Sequence, residues 1–319
     1  MRRWIWLAIV VAIGVAAVLM VGDLRALRET LGGFAWRAFV LALGLALANY
    51  VVRFVRWQIY LRHQQVVVPT GSSALVFGAG LSLAITPAKL GELVKSYLLR
   101  ELHGVPAART APIVIAERVT DFIALLLIAV IGVAVYGVET VLVAIAAALV
   151  AAGLMLLAWP RPTRALIDLL TRPRFTRRYR EPLHEAYTGL ASLCGPRLLA
   201  LATAIAVPAW ACECVGFAAI VNAFPGAHVD LGLAMVIYAA TTIAGALSFL
   251  PGGLGVTEGG MTILLVRSRL DQPTALDATL LTRLATLWFA VLLGLVCLAI
   301  ARGRIARRAI VATEPARGG

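Results

Sequence analysis

Long apolar stretches alternate with short polar ones along this chain, and the stretches 4–21, 38–60, 119–136, 138–159, 198–222 and 278–300 are each long enough to cross about 30 Å of hydrocarbon as a helix. The weaker alternation of a membrane barrel is not found. Two further apolar segments, 73–99 and 231–266, are interrupted by proline and glycine. This pattern predicts an all-α polytopic membrane protein of about six full transmembrane helices plus two broken or re-entrant helical hairpins. Residues 22–36 place Asp23, Arg25, Arg28 and Glu29 among apolar residues and predict a short interfacial helix. The first stretch is longer than a signal-peptide core and lacks a small-x-small cleavage site, so it is expected to be retained.

The two interruptions share a pentapeptide pattern, Pro87-Ala88-Lys89-Leu90-Gly91 and Pro251-Gly252-Gly253-Leu254-Gly255, each with a glutamate close behind, Glu92 and Glu258. The match continues at nearly the same offset, with Arg118 opposite Arg283. Proline lacks the backbone donor a helix interior needs, and glycine admits conformations other residues avoid, so each Pro-x-x-Leu-Gly is expected to break a helix. At membrane depth a break is tolerated only where protein or a water-filled cavity surrounds it. Duplicated broken helices point to a transporter's binding site. A helix restarting after Gly91 or Gly255 is expected to aim its N-terminal amides into that cavity, where they suit a phosphate. Packing glycines with a proline kink are the competing reading.

Basic residues set the expected orientation. Arg161, Arg164, Arg172, Arg174, Arg177, Arg178, Arg180 and Arg197 lie in the polar region 160–197, Arg302, Arg304, Arg307 and Arg308 near the end, and Arg2 and Arg3 at the start; all are predicted to be cytoplasmic. If 73–99 is a hairpin entered from the cytoplasm, Arg62, Lys95, Arg100 and Arg109 also stay inside. Three full spans then separate the motifs, and the second hairpin enters from the opposite face as an inverted-topology repeat. The expected division is a membrane domain over 1–302, with repeat halves about 38–159 and 198–300 and a cytoplasmic loop 160–197, then a basic cytoplasmic tail over 303–319. Residues 231–250 are also long enough to span alone.

Composition agrees with a membrane solvent: 61% of residues are hydrophobic and 14% charged, against roughly a quarter charged in soluble domains. The net charge of +13 does not mark a nucleic-acid binder, because the arginines flank apolar runs, where they act as topology signals and lipid headgroup contacts. Of the four cysteines, Cys212 and Cys214 flank Glu213 while Cys194 and Cys297 stand alone; no disulfide framework, metal site or cofactor is predicted.

Charges at membrane depth cost about 2.5 to 3.5 kcal/mol each on insertion scales and tend to be paired and functional. Lys89, Glu92, Lys95, Glu117, Arg118, Asp121, Glu213, Glu258 and Arg283 cluster around the two breaks and, with Thr257, form the expected headgroup-binding set; Pro87, Gly91, Pro251, Gly252, Gly253 and Gly255 form the breaks. Glu92 is three residues from both Lys89 and Lys95, and Glu117 four from Asp121, so each pair can share a helix face. Snorkelling at the interface is the alternative for Lys95, Glu117 and Arg118. Glu213, deep in an apolar run, is expected near the bilayer midplane, protonated or bound to a cation. Arg53 and Arg56, with Trp57 and Tyr60, read as snorkelling arginines beside an aromatic belt, and only Asn49 lies deep enough for an interior role.

Together, the runs from Thr86 to Glu92, Glu117 to Asp121 and Leu250 to Glu258 resemble the flippase-like membrane domain of lysylphosphatidylglycerol synthetases, over nearly the whole chain. The resemblance implies a polytopic bacterial or archaeal membrane protein associated with moving a lipid between leaflets. Only a short tail follows Arg308, so the aminoacyl-transfer domain of the full synthetases is expected to be missing, and with it aminoacyltransferase activity.

The leading expectation is a lipid flippase or related transporter whose breaks and charges bind a phosphate-bearing headgroup. Lys89, Arg118 and Arg283 would balance the phosphate, while Glu92, Asp121, Glu213 and Glu258 would meet a cationic headgroup or take up a coupling proton. The chain has no Walker A pattern. A membrane-embedded glycosyl- or aminoacyl-transferase is the second class; against it, His63, His103, His184 and His228 all fall in predicted loops or interfaces, with no nucleophile and base evident. An accessory subunit of a lipid-modifying enzyme is the third. Expected partners are membrane lipids, with a lipid-modifying enzyme as a further candidate and no nucleic acid.

Overall fold

The computed structural model describes residues 32–136, 140–173 and 175–313; the predicted span 4–21, residues 22–31 of the interfacial segment 22–36 and residues 314–319 of the tail lie outside the described residues. Every regular element among the described residues is helical. Helix α1 (Trp36–His63) leads to α2 (Thr70–Leu81), a 3-10 segment (Pro87–Leu93) and α3 (Val94–His103). Then come α4 (Ala107–Tyr136), α5 (Thr140–Ala158), α6 (Pro160–Leu170), a short 3-10 turn (Arg177–Tyr179) and α7 (Arg180–Leu193). The remainder comprises α8 (Pro196–Val221), α9 (Leu231–Leu247), a 3-10 turn (Pro251–Gly253), α10 (Val256–Arg267), α11 (Gln272–Arg283), a π-helical turn (Leu284–Trp288) and α12 (Phe289–Thr313).

Among the described residues, α1, α8 and the continuous run Gln272–Ala306 are long and apolar enough to cross a membrane. They realise the predicted stretches 38–60, 198–222 and 278–300, and make this an all-helical, multi-pass membrane protein. The stretches 119–136 and 138–159 fall in α4 and α5, of 30 and 19 residues, or about 45 and 28 Å.

Both predicted breaks are present, and each separates two short helices that pack on one another, α2 with α3 and α9 with α10. With 12, 10, 17 and 12 residues, these helices measure about 18, 15, 26 and 18 Å, against about 30 Å of hydrocarbon. In the second break Gly252, Gly253 and Gly255 have φ of 62°, 67° and 84°, the left-handed region in which a side chain is strained, so the Pro-Gly-Gly-x-Gly run is a backbone requirement. The two 3-10 segments pack against each other, with Gly252 seated on Ile85 and Leu287. The chain thus brings together two motifs separated by more than half its length.

Without a hydrophobic drive between helices in lipid, packing rests on small residues and interhelical hydrogen bonds. Helix α1 meets α8 where Gly216 faces Ala42, and α12 crosses the end of α2 so closely that a Cβ on Gly294 would collide with the backbone of Ser82. Trp57 Nε1 donates to Ser73 Oγ at 3.1 Å and ties α1 to α2. One apolar core surrounds α8 and α9, and a second joins α1, α2, α3 and the middle of α12.

The polar region 160–197 is more ordered than a loop, because α7 buries Tyr187 and Leu193 and packs along α4, with Gln64 Nε2 donating to Gly189 O at 3.1 Å. Asp168 fastens α6 to α7, accepting from Arg180 Nε at 2.8 Å and lying 2.9 Å from His184 Nε2. The His184 hydrogen bond, then that of Arg180, hold its carboxyl below the usual carboxylate range. A lowered folded-state value means the contact contributes fully at neutral pH and is lost as pH falls through that lowered value.

Candidate functional site

Among the buried residues of α1, Ala42, Ala46, Asn49, Arg53, Arg56 and Tyr60 follow one another three and four apart, with Tyr50, Trp57 and Leu61 beside them, while Val40, Leu41, Leu47, Val51 and Val55 are exposed. This helix is amphipathic in reverse, its polar stripe turned to the interior. The expectation that Arg53 and Arg56 snorkel is therefore corrected. Their side chains are 5% and 0% exposed and are held by carboxylates from other elements.

The carboxylate facing them is Asp121 of α4. Arg56 Nη2 lies 2.8 Å from Asp121 Oδ1, Arg118 Nη2 3.0 Å and Arg53 Nη2 4.0 Å from Oδ2. Arg56 Nη1 also donates to Thr120 Oγ1 at 3.0 Å. Glu92, supplied by the first break, sits among three cations: Lys95 Nζ at 3.2 Å, Arg118 Nη2 at 3.3 Å and Arg53 Nη2 at 3.7 Å. Lys95 in turn donates to the fully buried Glu117. Its ammonium stands 4.7 Å from the Trp57 ring centroid and 5.4 Å from that of Phe77, a cation–π slot. Gly80 leaves the room for this stem, since a Cβ there would overlap the Lys95 methylenes. Snorkelling is excluded for Lys95 and Glu117, whose side chains are 1% and 0% exposed; Arg118 is the most open member at 17%.

A second group forms at the other break. Arg283 donates from Nε to Glu258 Oε1 at 2.6 Å and from Nη2 to Gly252 O at 2.6 Å. The pairs Glu92–Arg118 and Glu258–Arg283 are thus made alike: in each, the glutamate just after a break meets an arginine 26 or 25 residues further on. Thr257 is buried against Gly245 and Gly253 and joins neither group of ion pairs. Lys89 lies in the first 3-10 segment, and its side chain is outside the described residues.

One amide at each break is taken by a nearby side chain: Gly91 N–H donates to Thr86 Oγ1 and Gly255 N–H to Glu258 Oε2, both at 2.7 Å. Side-chain cations stand beside both breaks, Arg118 at the first and Arg283 at the second. Glu213 is buried, as expected for a deep position, and accepts from Tyr238 Oη at 2.6 Å. Nearby, Asn49 Nδ2 donates to Ala209 O at 2.7 Å, and Tyr50 Oη to Thr286 O of the π turn at 2.9 Å; π turns are frequent at functional sites.

Arg53, Arg56, Tyr50 and Tyr238 are absent from the sequence-predicted set. For the arginines a signal existed: Asn49, Arg53, Arg56 and Tyr60 follow the helical repeat and share a face with the small residues Ala42 and Ala46. The tyrosines carry no comparable mark.

A profile described as the lysylphosphatidylglycerol synthase TM region matches residues 5–294. The chain is also 25% identical over 319 aligned positions to a UPF0104 membrane protein of Methanothermobacter thermautotrophicus, with 90% of this chain and 93% of the relative covered.

Proposed function

Because this chain belongs to the lysylphosphatidylglycerol synthase transmembrane-region family, we propose that it moves a phosphate-bearing lipid between leaflets without changing it covalently. The observation that carries this reading is the charge balance of the first group. Among the described side chains, Arg53, Arg56, Lys95 and Arg118 stand against Glu92, Glu117 and Asp121, four cations to three carboxylates. The excess positive charge suits an anion, and Arg118, the most exposed cation of that group, is where a phosphate first meets it. Arg283 performs the same task at the other break, with acyl or isoprenoid tails left in the bilayer.

The likeness of the two glutamate–arginine pairs and the shortness of the hairpin helices support the inverted-repeat reading, in which each hairpin enters from its own side and the two meet in the middle. The predicted site is thus shared by both halves of one membrane domain in the inner (plasma) membrane, with both chain ends cytoplasmic. The test of transport is reconstitution of the full chain in liposomes with fluorescent phospholipid and isoprenoid-phosphate analogues. Leaflet exchange is expected with no new lipid product by mass spectrometry; a new product without exchange of any lipid offered would favour a transferase. Orientation is tested with single cysteines in a background lacking the native four. Positions in 172–180 and near Arg304 are expected to label from the cytoplasm and Ala227 from outside, and labelling of Ala227 only from inside breaks the inverted repeat.

A further inference from the structure

The five carboxylates of the predicted site are not equivalent. Glu92, Glu117, Asp121 and Glu258 each face an arginine or lysine within ion-pair distance. Glu213 has no described cation within that distance, and its hydrogen-bond partner is the neutral hydroxyl of Tyr238. Each of the first four compensates a cation, so gaining a proton would strand that charge. Glu213 is the carboxyl for which protonation removes an uncompensated charge from a buried place.

Its helix lies among the elements that carry both charged groups: α8 packs on α1, which carries Tyr50 and Arg53, on α9, which carries Tyr238, and on α11, which carries Asp277 and ends at Arg283. Cys212 and Cys214 flank it on its own helix, and α4, which also packs on α8, carries Asp121, already engaged by Arg56 and Arg118. A metal cation would need several oxygen ligands, and no group of three or more histidine, cysteine or acidic side chains suited to a metal occurs among the described residues. A proton needs one.

We infer that Glu213, held by Tyr238, is the proton-binding site that couples proton movement to lipid movement. The coupling role rests on the transport reading above. Arg118 and Arg283 lie on α4 and α11, both packed on α8. A phosphate brought to either adds negative charge to this shared interior and favours the protonated form of Glu213; by linkage, a protonated Glu213 favours the phosphate equally. The proton enters from the aqueous side on which the lipid is loaded, binds a carboxylate oxygen, and leaves to the opposite side when the headgroup departs. Charge is compensated without any further co-reactant.

Proton binding is read without transport by infrared spectroscopy of the full chain in phosphatidylcholine liposomes, following the carbonyl stretch of a protonated carboxylic acid over a pH series. The band is expected to contain a component that the native protein has and Glu213→Gln lacks, beyond the contribution of the other carboxylates that both proteins share. Tyr238→Phe removes the hydroxyl that donates to Glu213, so that component is expected to move to higher frequency. An identical band in Glu213→Gln, or an unmoved component in Tyr238→Phe, overturns the assignment; if Glu213→Gln fails to fold, the Tyr238→Phe spectrum decides. Exchange of fluorescent phosphatidylglycerol is then followed with and without a proton gradient. The native protein is expected to respond and Glu213→Gln to lose the response. Equal response in both, or dependence on a sodium gradient instead, overturns the coupling role. A Glu213-dependent band in a protein that exchanges no lipid defeats the transport reading and leaves the proton site standing.

Discussion

Asp121→Asn is expected to destabilise the folded protein by about 3–5 kcal/mol, because it removes the carboxylate that compensates a fully buried guanidinium. Arg56 is 0% exposed and lies 2.8 Å from Asp121, and its other described bond is to the neutral Thr120 hydroxyl. Arg56→Gln is expected to cost a similar amount by leaving Asp121 with Arg118 and the more distant Arg53. Combining the two removes both charges, so the double variant is expected to recover much of the loss, a coupling of several kcal/mol where independent sites add within about 0.5 kcal/mol. Thermal unfolding of the four proteins in one detergent measures this cycle. Simple additivity would mean that Asp121 and Arg56 do not depend on one another and that the first group is not a closed charge network.

The second large effect is expected on transport. Glu92→Gln, Arg118→Gln, Glu258→Gln and Arg283→Gln each break one of the two alike pairs, at 3.3 and 2.6 Å. Each is expected to slow lipid exchange at least tenfold, about 1.4 kcal/mol in the barrier, with the protein still inserted. Glu258 carries an added role, since its second oxygen takes the Gly255 amide at 2.7 Å; its variant is expected to lose stability as well. Arg177, exposed on the peripheral turn between α6 and α7, is the control. If all four variants exchange lipid as fast as Arg177→Gln, the repeated motif is a packing device and the transport site lies elsewhere.

The chain's membrane class and both breaks are legible in its residues because they depend on local chemistry. An apolar run of 20 residues spans a bilayer whatever surrounds it, and a Pro-Gly-Gly-x-Gly run cannot continue a helix in any setting. Most of the charged set is legible for a related reason: a charge inside an apolar run is costly enough to demand a partner. The direction a side chain takes is a different matter. Arg53 and Arg56 near the end of an apolar helix satisfy the snorkelling pattern and the buried pattern equally well, and the presence of Asp121 on α4, 65 positions beyond Arg56, decides between them. At each break a nearby side chain takes one glycine amide, Thr86 that of Gly91 and Glu258 that of Gly255, a detail set by side-chain rotamers rather than by the proline and glycine pattern.

What the sequence alone determined is therefore the solvent of this protein, the places where its helices stop and the need of its buried charges for partners, all consequences of burial cost and backbone geometry within a few residues. Only the tertiary structure decided who those partners are. The seating of one break on the other, the inward turn of the polar stripe of α1 and the pairing of Glu213 with Tyr238 bring together residues from 25 positions apart (Glu213 and Tyr238) to 167 (Ile85 and Gly252). No local rule encodes such meetings, because ion pairs and hydrogen bonds reach only a few ångströms and the chain path that closes those distances is set by helix packing as a whole.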